Sequence, residues 1–546
     1  MQIVSRDYYR SLADRQQTSA QIILPRRGEI EFQKNNGELI SAATTRSGFL
    51  LYVNPSKLES ASSTYNLISE IVSEYGLAID SKVFFSYAQK QDDPFEILLK
   101  RVEKPLADRI IGAKLPGIGI LAEEWRFYPF NDLAAQVLGF VGFDESGNVS
   151  GQYGLEGFYE NYLRGKVGFR KGQQSYGGVF LNFSRQFFDD SSNGDDLVLT
   201  LDLRVSEELE RHLDLLAETW HPKKAAGLII EPKTGKILAM AVRPNFNLNN
   251  YSEVEDISYF INPLTSSIFE LGSVFKPLTL AFALDDKAIT PDTKYYDAGF
   301  VEIGPARIEN YDGKGRGTVD MQEVLNQSLN TGAVFVAKKL GKEKFLSYVE
   351  KFGLDEKTDI DLPGEVIGDI SNLRSFREIE YASASFGQGI AITPISFARA
   401  VSALANGGTL LQPFIVEKIV KDGFPDDVRS PREVRRVISE ETSLEISRML
   451  ATVVDEALMG GGLGPKNYSV AAKTGTAQIP NKDGKGYSNE FLHAFFGYAP
   501  AYDARFLIFL ILESPKGVQY ASQSLGQSFL DLTNFLLHYY EVPPDR

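Results

Sequence analysis

Ser273 and Lys276 stand three residues apart in the run FELGSVFKPLTLAFAL, and no other Ser-x-x-Lys occurs in the chain. On a helix this spacing puts both side chains on one face, so the amine can lie beside the hydroxyl whose proton it would take. Pro277 suits the first turn of such a helix. The apolar neighbours would bury the lysine and pull its pKa toward the range of a useful base. The plain alternative is a serine and a lysine on the surface of an amphipathic helix.

Ser328 and Asn330 follow inside a segment that otherwise reads as helical. In an extended or sharply turned backbone, residues i and i+2 point the same way and offer a hydroxyl and an amide together. The same triplet at Ser146-Gly147-Asn148 and Ser191-Ser192-Asn193 lies in polar, turn-rich settings and reads as surface loop. A third group, Lys473-Thr474-Gly475-Thr476, sits between VAA and AQIP. On a strand, Lys473 and Gly475 share one face and Thr474 and Thr476 the other. A glycine there lets a ligand backbone approach closely. Lys233-Thr234-Gly235 repeats the triplet between two apolar strands, where it reads as a turn, so a single copy proves little.

Composition removes several other chemistries. The chain has no cysteine, which excludes disulfides, thiolate nucleophiles and cysteine-based zinc or iron–sulfur sites. Its histidines, His212, His221, His493 and His538, do not pair at ligand spacing, so neither a metal nor another cofactor is expected. Lys and Arg number 57 against 72 Asp and Glu, a net charge of −15 that argues against a nucleic-acid partner. With 43% hydrophobic and 24% charged residues the chain should fold, and 546 residues suggest about three domains or one large one with attachments. The longest strongly apolar run, Phe506 to Leu512, falls short of the ~18 residues of a membrane span and reads as a buried strand. The start, MQIVSRDYYRSLADRQQ, lacks the apolar stretch of a secretory signal, and the chain as written reads as soluble.

The elements that must position these residues follow from pattern. Residues 1 to about 50 suggest short strands and turns around Asn35-Asn36-Gly37, and residues 56 to 125 read as more helical. Leu67, Ile71 and Tyr75 recur at i, i+4 and i+8 and predict one buried helical face. The polar stretch Asp189 to Asp196 marks a domain boundary, dividing the chain into 1–190 and 195–546. Beyond it, AAGLIIEP, a turn at Lys233 to Lys236 and ILAMAV read as a β-hairpin. Helical patterns dominate from Ser266 to Met459, strands return after Ser469, and a long helix ends the chain. Strands at both ends of the second domain predict one sheet completed by those ends, with helices against it.

Taken in order, Ser-x-x-Lys, Ser-x-Asn and Lys-Thr-Gly resemble the signature of penicillin-binding proteins and serine β-lactamases. The chain is similar to the monofunctional, class B penicillin-binding proteins, the peptidoglycan D,D-transpeptidases of bacterial cell division or elongation, with a lean to the division type. RDYYRSLADRQQ and Pro25-Arg26-Arg27-Gly28-Glu29-Ile30 resemble the segment after the membrane anchor in these proteins. RFYPFNDLAAQVLGFVG and Gly154-Leu155-Glu156-Gly157-Phe158-Tyr159-Glu160 resemble elements of their N-terminal module. TLDLRVSEELE, EPKTGKILAMAVRPNFNLNNY, FGQGIAITPISFARAVSALANGG and HAFFGYAPAYDARFLIFLIL resemble successive parts of their transpeptidase domain. Two departures stand out. Phe32 to Gly37 replace the usual Asp-Arg-Asn-Gly, and Leu271 replaces a proline before the nucleophile, which would soften the turn into the helix.

The resemblance implies a multidomain α+β fold. An elongated, non-catalytic pedestal or dimerisation-like module spans 1–190, and a β-lactamase-like transpeptidase domain, an antiparallel sheet flanked by helices, spans 195–546. It implies Ser273 as nucleophile, Lys276 as its base, Lys473 as a nearby cation and Ser328 as proton relay. Asn330 would bond the substrate amide, and Thr474, Gly475 and Thr476 would form the strand that takes the substrate carboxylate. Backbone N–H groups of Ser273 and Thr476 would form the oxyanion hole. Implied partners are stem peptides ending in D-Ala-D-Ala, β-lactam antibiotics and a separate membrane glycan polymerase. The implied location is the bacterial cell membrane, the catalytic domain facing outward and the anchor helix expected ahead of Arg6. A serine β-lactamase or D,D-carboxypeptidase, and a catalytically weak scaffold or β-lactam sensor, remain as alternatives.

Overall fold

The computed structural model describes residues 20–23, 25–166, 168–171 and 192–546, apart from 376, 422, 462–463 and 482–485. The RDYYRSLADRQQ segment and the start of the polar boundary stretch lie outside the described residues. In β1 (Ile30–Gln33) the alternating pattern buries Ile30 and Phe32, and a turn closed by Gly37 at φ +80° returns the chain into β2 (Leu39–Val53). The departure at Phe32 to Gly37 therefore still makes a hairpin. The long β2 strand pairs antiparallel with β3 (Glu96–Val102) and β4 (Ile118–Phe127). Helices α1 (Ala61–Ser73), α2 (Ser81–Ala88) and α3 (Lys104–Ala113) contribute Ile68, Val72, Phe84, Leu106 and Ile110 to one core with these strands.

Residues 56 to 125 are more helical than the strands before them, with α1, α2 and α3, although β3 and β4 share the later part. One expectation fails in this region. The buried face of α1 is Thr64, Ile68, Ile71 and Val72, whereas Leu67 is 46% and Tyr75 43% exposed. Leu67 stands about 100° around the helix from Ile68 and so flanks the buried stripe, and Tyr75 lies beyond the helix end.

The strand β5 (Asp196–Asp202) runs parallel to β1 and antiparallel to a later strand, so the first sheet crosses into the second half of the chain. Asp202 caps the following helix α4 (Leu203–Trp220), its carboxylate accepting the N–H groups of Arg204 and Val205. The expected hairpin then forms from β6 (Lys224–Ile230) and β7 (Ile237–Arg243).

Helical elements follow: α5 (Lys276–Asp285), α6 (Asn330–Leu340) and α7 (Pro394–Ala405), of which α7 is buried along its whole length. After them come β8 (Val416–Val420), the partner of β5, and α8 (Glu440–Thr452). The chain closes with β9 (Ala471–Pro480), β10 (Tyr487–Ala499), β11 (Phe506–Glu513) and α9 (Ala521–Tyr539). The five-stranded antiparallel sheet runs β7-β6-β11-β10-β9, built from both ends of the second half as the pattern predicts.

Strand β11 is central, and that explains its uninterrupted apolar run. Leu507, Phe509 and Ile511 join the core containing α7, while Ile508, Leu510 and Leu512 join the core containing α4 and α9. Each such side chain contributes about 1.5–3 kcal/mol by leaving water. The two helical layers thereby fix β9, at the sheet edge, against the turn that carries Ser273.

Candidate active site

Ser273 lies in a single 3-10 turn, Gly272–Phe275, and Lys276 opens α5 directly behind it. The turn is held from two sides by close backbone packing. Gly272 sits at φ +64° and donates its N–H to Gly387 O at 3.0 Å. A Cβ on Gly475 would come 2.8 Å from Leu271 O and 2.9 Å from Val274 N. The strand glycine is thus demanded by the chain's own serine turn, a correction to the expectation that its space serves a ligand backbone. Leu271, 1% exposed, packs into the core at the entry to this turn, where a proline would only fix an angle.

Lys276 is fully buried. Its Nζ lies 3.0 Å from Ser273 Oγ and 3.2 Å from Ser328 Oγ, and it also donates to the carbonyl oxygen of Ser328. Burial holds its pKa well below the usual lysine value, and the Lys473 charge lowers it further. Lys473 extends from β9, 3% exposed, with Nζ 3.0 Å from Ser328 Oγ and 3.1 Å from the Thr474 carbonyl. Burial lowers it to about 8.

Ser328 reaches both amines through a strained backbone. It occupies φ +53°, a left-handed conformation that costs a serine about 1–2 kcal/mol. It is locked by N–H bonds from Ser328 to Leu325 O and from Leu329 to Val324 O. Of the extended or sharp-turn alternatives, the turn is the one formed. Asn330 begins α6, and its Nδ2 donates to Glu309 O at 2.9 Å. On β9, Thr474 and Thr476 are half-buried on the side opposite Lys473 and Gly475. The Thr476 hydroxyl oxygen accepts the N–H of Ala521, first residue of α9, at 3.0 Å, leaving its own proton for a second partner.

The decoy triplets stay apart from this cluster. Ser146-Gly147-Asn148 forms a turn whose N–H groups bond Asp144 Oδ1, and Lys233-Thr234-Gly235 is the hairpin turn between β6 and β7. Asn193 lies elsewhere, its Oδ1 accepting the Arg26 N–H at 3.0 Å.

A serine hydroxyl beside a buried lysine, linked through a second serine to a second lysine, is equipment for acyl transfer. The family model for the penicillin binding protein transpeptidase domain matches residues 225–533, and that for the penicillin-binding protein dimerisation domain matches residues 22–199.

The chain belongs to the class B penicillin-binding proteins.

Among this family's characterised members, Stage V sporulation protein D of Bacillus subtilis is 33% identical over 498 residues, spanning 90% of this chain and 75% of its own length. Peptidoglycan D,D-transpeptidase FtsI of Escherichia coli is 28% identical over 433 residues, 78% of this chain and 69% of its own. The crystal structure of Penicillin Binding Protein 2X from Streptococcus thermophilus superposes with a TM-score of 0.77 at 20% identity, covering 96% of this chain and 81% of the other. That likeness shows the fold: an N-terminal dimerisation module followed by a transpeptidase domain of mixed α/β content.

In this penicillin-binding protein several structural partners of the motifs carry no sequence signal. Glu270, three residues before Ser273, accepts the Tyr487 hydroxyl at 2.9 Å and ties the serine turn to β10. Burial raises the Glu270 carboxyl above its ordinary range. Among the described residues, no cluster of His, Asp or Glu could hold a metal ion, and no helix is long and apolar enough to cross a membrane.

Proposed function

We propose that the chain is a peptidoglycan D,D-transpeptidase working through an acyl-enzyme on Ser273. The observation that carries this reading is the Lys276 amine, buried and depressed in pKa, 3.0 Å from Ser273 Oγ. Neutral Lys276 takes the hydroxyl proton as Ser273 attacks the carbonyl between the two terminal D-alanines of a stem peptide. The C–N bond then breaks, and D-alanine leaves with a proton relayed from Lys276 through Ser328. An amine of a neighbouring stem attacks the ester, its proton returns along the same path, and a cross-link forms while Ser273 is regenerated.

Lys473 supplies the fixed cation, and the Thr474 and Thr476 hydroxyls take the substrate carboxylate beside it. Gly475 keeps the strand close enough to the serine turn for both to act on one substrate. Asn330 presents its Oδ1 to the substrate amide, since its Nδ2 is engaged by Glu309. The N–H groups of Ser273 and Thr476 form the oxyanion hole, where one donor is worth about 3–4 kcal/mol. A β-lactam enters the same site as a mimic of the donor peptide.

The presence of a large N-terminal module supports transfer between wall strands over simple hydrolysis. We place the domains at 1–190 and 195–546, which the family matches to 22–199 and 225–533 support. The reading also assigns a bacterial membrane location with the catalytic domain outside, and a separate membrane glycan polymerase as partner. The test is intact-mass analysis after incubation with a fluorescent penicillin, alongside Ser273→Ala. One adduct that persists for many minutes and is absent from the variant is expected. Rapid release of the adduct indicates a β-lactamase instead, and no adduct on folded protein indicates a scaffold.

A further inference from the structure

The helix α6, which starts at Asn330, has an apolar N-cap, Leu329, with no side chain able to receive its first N–H groups. The cap is supplied by the residue that follows the strand Ala306–Glu309. Asn310 Oδ1 accepts the N–H of Thr331 at 3.2 Å, and the neighbouring Glu309 carbonyl holds the Asn330 side chain. Asn310 is in turn oriented by Asp297, which is 1% exposed and ends the short strand Tyr295–Asp297. Both carboxylate oxygens of Asp297 lie 3.0 Å from Asn310 Nδ2. Asp297 also accepts the Thr331 hydroxyl at 2.8 Å and the backbone N–H groups of Gly299 at 2.9 Å and Arg316 at 3.0 Å.

We infer that Asp297 is a positioning residue for the Ser328-x-Asn330 motif, acting through Asn310 and Thr331. It touches none of the proposed reacting groups. It fixes the loop that carries Glu309 and Asn310, and that loop fixes both the Asn330 amide and the first turn of α6. Its negative charge also faces the positive end of the helix. Because Ser328 sits in an intrinsically disfavoured conformation two residues earlier, an unanchored α6 start would let the motif relax away from Lys276 and Lys473. The inference rests on the reading of Asn330 as a substrate-binding group.

The test compares Asp297→Asn, Asn330→Ala and the double variant by the rate and the final stoichiometry of fluorescent penicillin labelling. Asp297→Asn should still reach one adduct per chain, at a rate about tenfold lower, as misplacement of a binding group costs. In that background, adding Asn330→Ala should slow labelling much less than it does in the wild type, because both changes disable one unit. Labelling of Asp297→Asn at the wild-type rate overturns the inference, and so does full multiplication of the two effects. Asn330→Ala labelling at the wild-type rate instead sinks the reading of Asn330, and the inference with it. Should Asp297→Asn lower the final stoichiometry, the same readings are taken on Thr331→Val, which keeps the side-chain shape and removes one bond to Asp297. A wild-type rate there overturns the inference.

Discussion

The amines of Lys276 and Lys473 share one hydroxyl, standing 3.2 Å and 3.0 Å from Ser328 Oγ. Two ammonium groups this close, both buried, repel, so one of them gives up its proton first. Lys276 is the one pushed well below the usual lysine value.

The pH dependence of acylation follows from that order. A base with a depressed pKa is protonated and inactive at low pH, so the rate should rise as Lys276 loses its proton. Lys473 loses its charge near pH 8, and above that the substrate carboxylate lacks its cation, so the rate should fall. The expected profile is a bell whose basic limb lies near pH 8, read from second-order labelling rates. A rate that keeps climbing to pH 10 would contradict the assignment of the two lysines.

Ser328→Ala should lower acylation about 100-fold, the scale of a lost proton relay. The melting temperature should fall modestly, because two buried amines lose the Ser328 oxygen while the strained φ of +53° is no easier for alanine. Labelling kinetics and a thermal melt on one sample separate the two quantities.

Gly475→Ala would force a methyl group to within 2.8 Å of Leu271 O. The strand and the serine turn must separate, and a displacement of the order of 1 Å should cost about 100-fold in labelling rate. Near-normal labelling would show that the turn yields freely.

Ala521→Pro removes the N–H that Thr476 Oγ1 accepts, at a first helical position where proline is tolerated. Tyr520 is already extended at φ −120° and ψ 143°, as a residue before proline should be. The expected result is about fivefold weaker apparent binding of substrate or β-lactam, from one lost hydrogen bond, with a lower melting temperature because the ring enters a buried position and crowds the Thr476 hydroxyl. Equal affinity would show that Thr476 needs no such orientation.

The motifs were legible in the sequence because acyl transfer restricts both residue type and spacing. Lys276 must follow Ser273 by one helical step, and Lys473 must share a strand face with Gly475. The reason for Gly475 was not legible, since the atoms it makes room for are 204 positions earlier, at Leu271. Asp297 and Asn310 were silent for the same reason: an Asp and an Asn in a turn-rich segment look like surface until Thr331 is brought against them. The α1 periodicity misled because a four-residue spacing identifies a stripe only to within one residue, and Leu67 lies at its edge. The antiparallel sheet was readable from the apolar run at Phe506 to Leu512, which only a doubly covered strand would tolerate.

In the first domain, Glu156 is fully buried between Arg27 and Arg126, at 2.6 Å from each. Burial pushes its carboxyl up, but Arg126 and Arg27 outweigh that and hold it below the ordinary carboxylate range. A carboxylate depressed in this way stabilises the fold above its unfolded pKa, and the contribution is lost as pH falls through the lower, folded value. Glu156→Gln should remove about 3–5 kcal/mol by leaving Arg126 without its charge partner and Arg27 with Glu160 alone. Calorimetry should show the loss at pH 7 and a smaller difference from wild type in strong acid.

Strand β5 is bonded along one edge to β1, near the start of the described chain, and along the other to β8 in the catalytic half. A displacement of the first half therefore reaches the second through hydrogen bonds on both edges of one strand. The two halves are thus stitched through a single shared strand, so neither can shift far without disturbing β5 and the helix α4 that follows it.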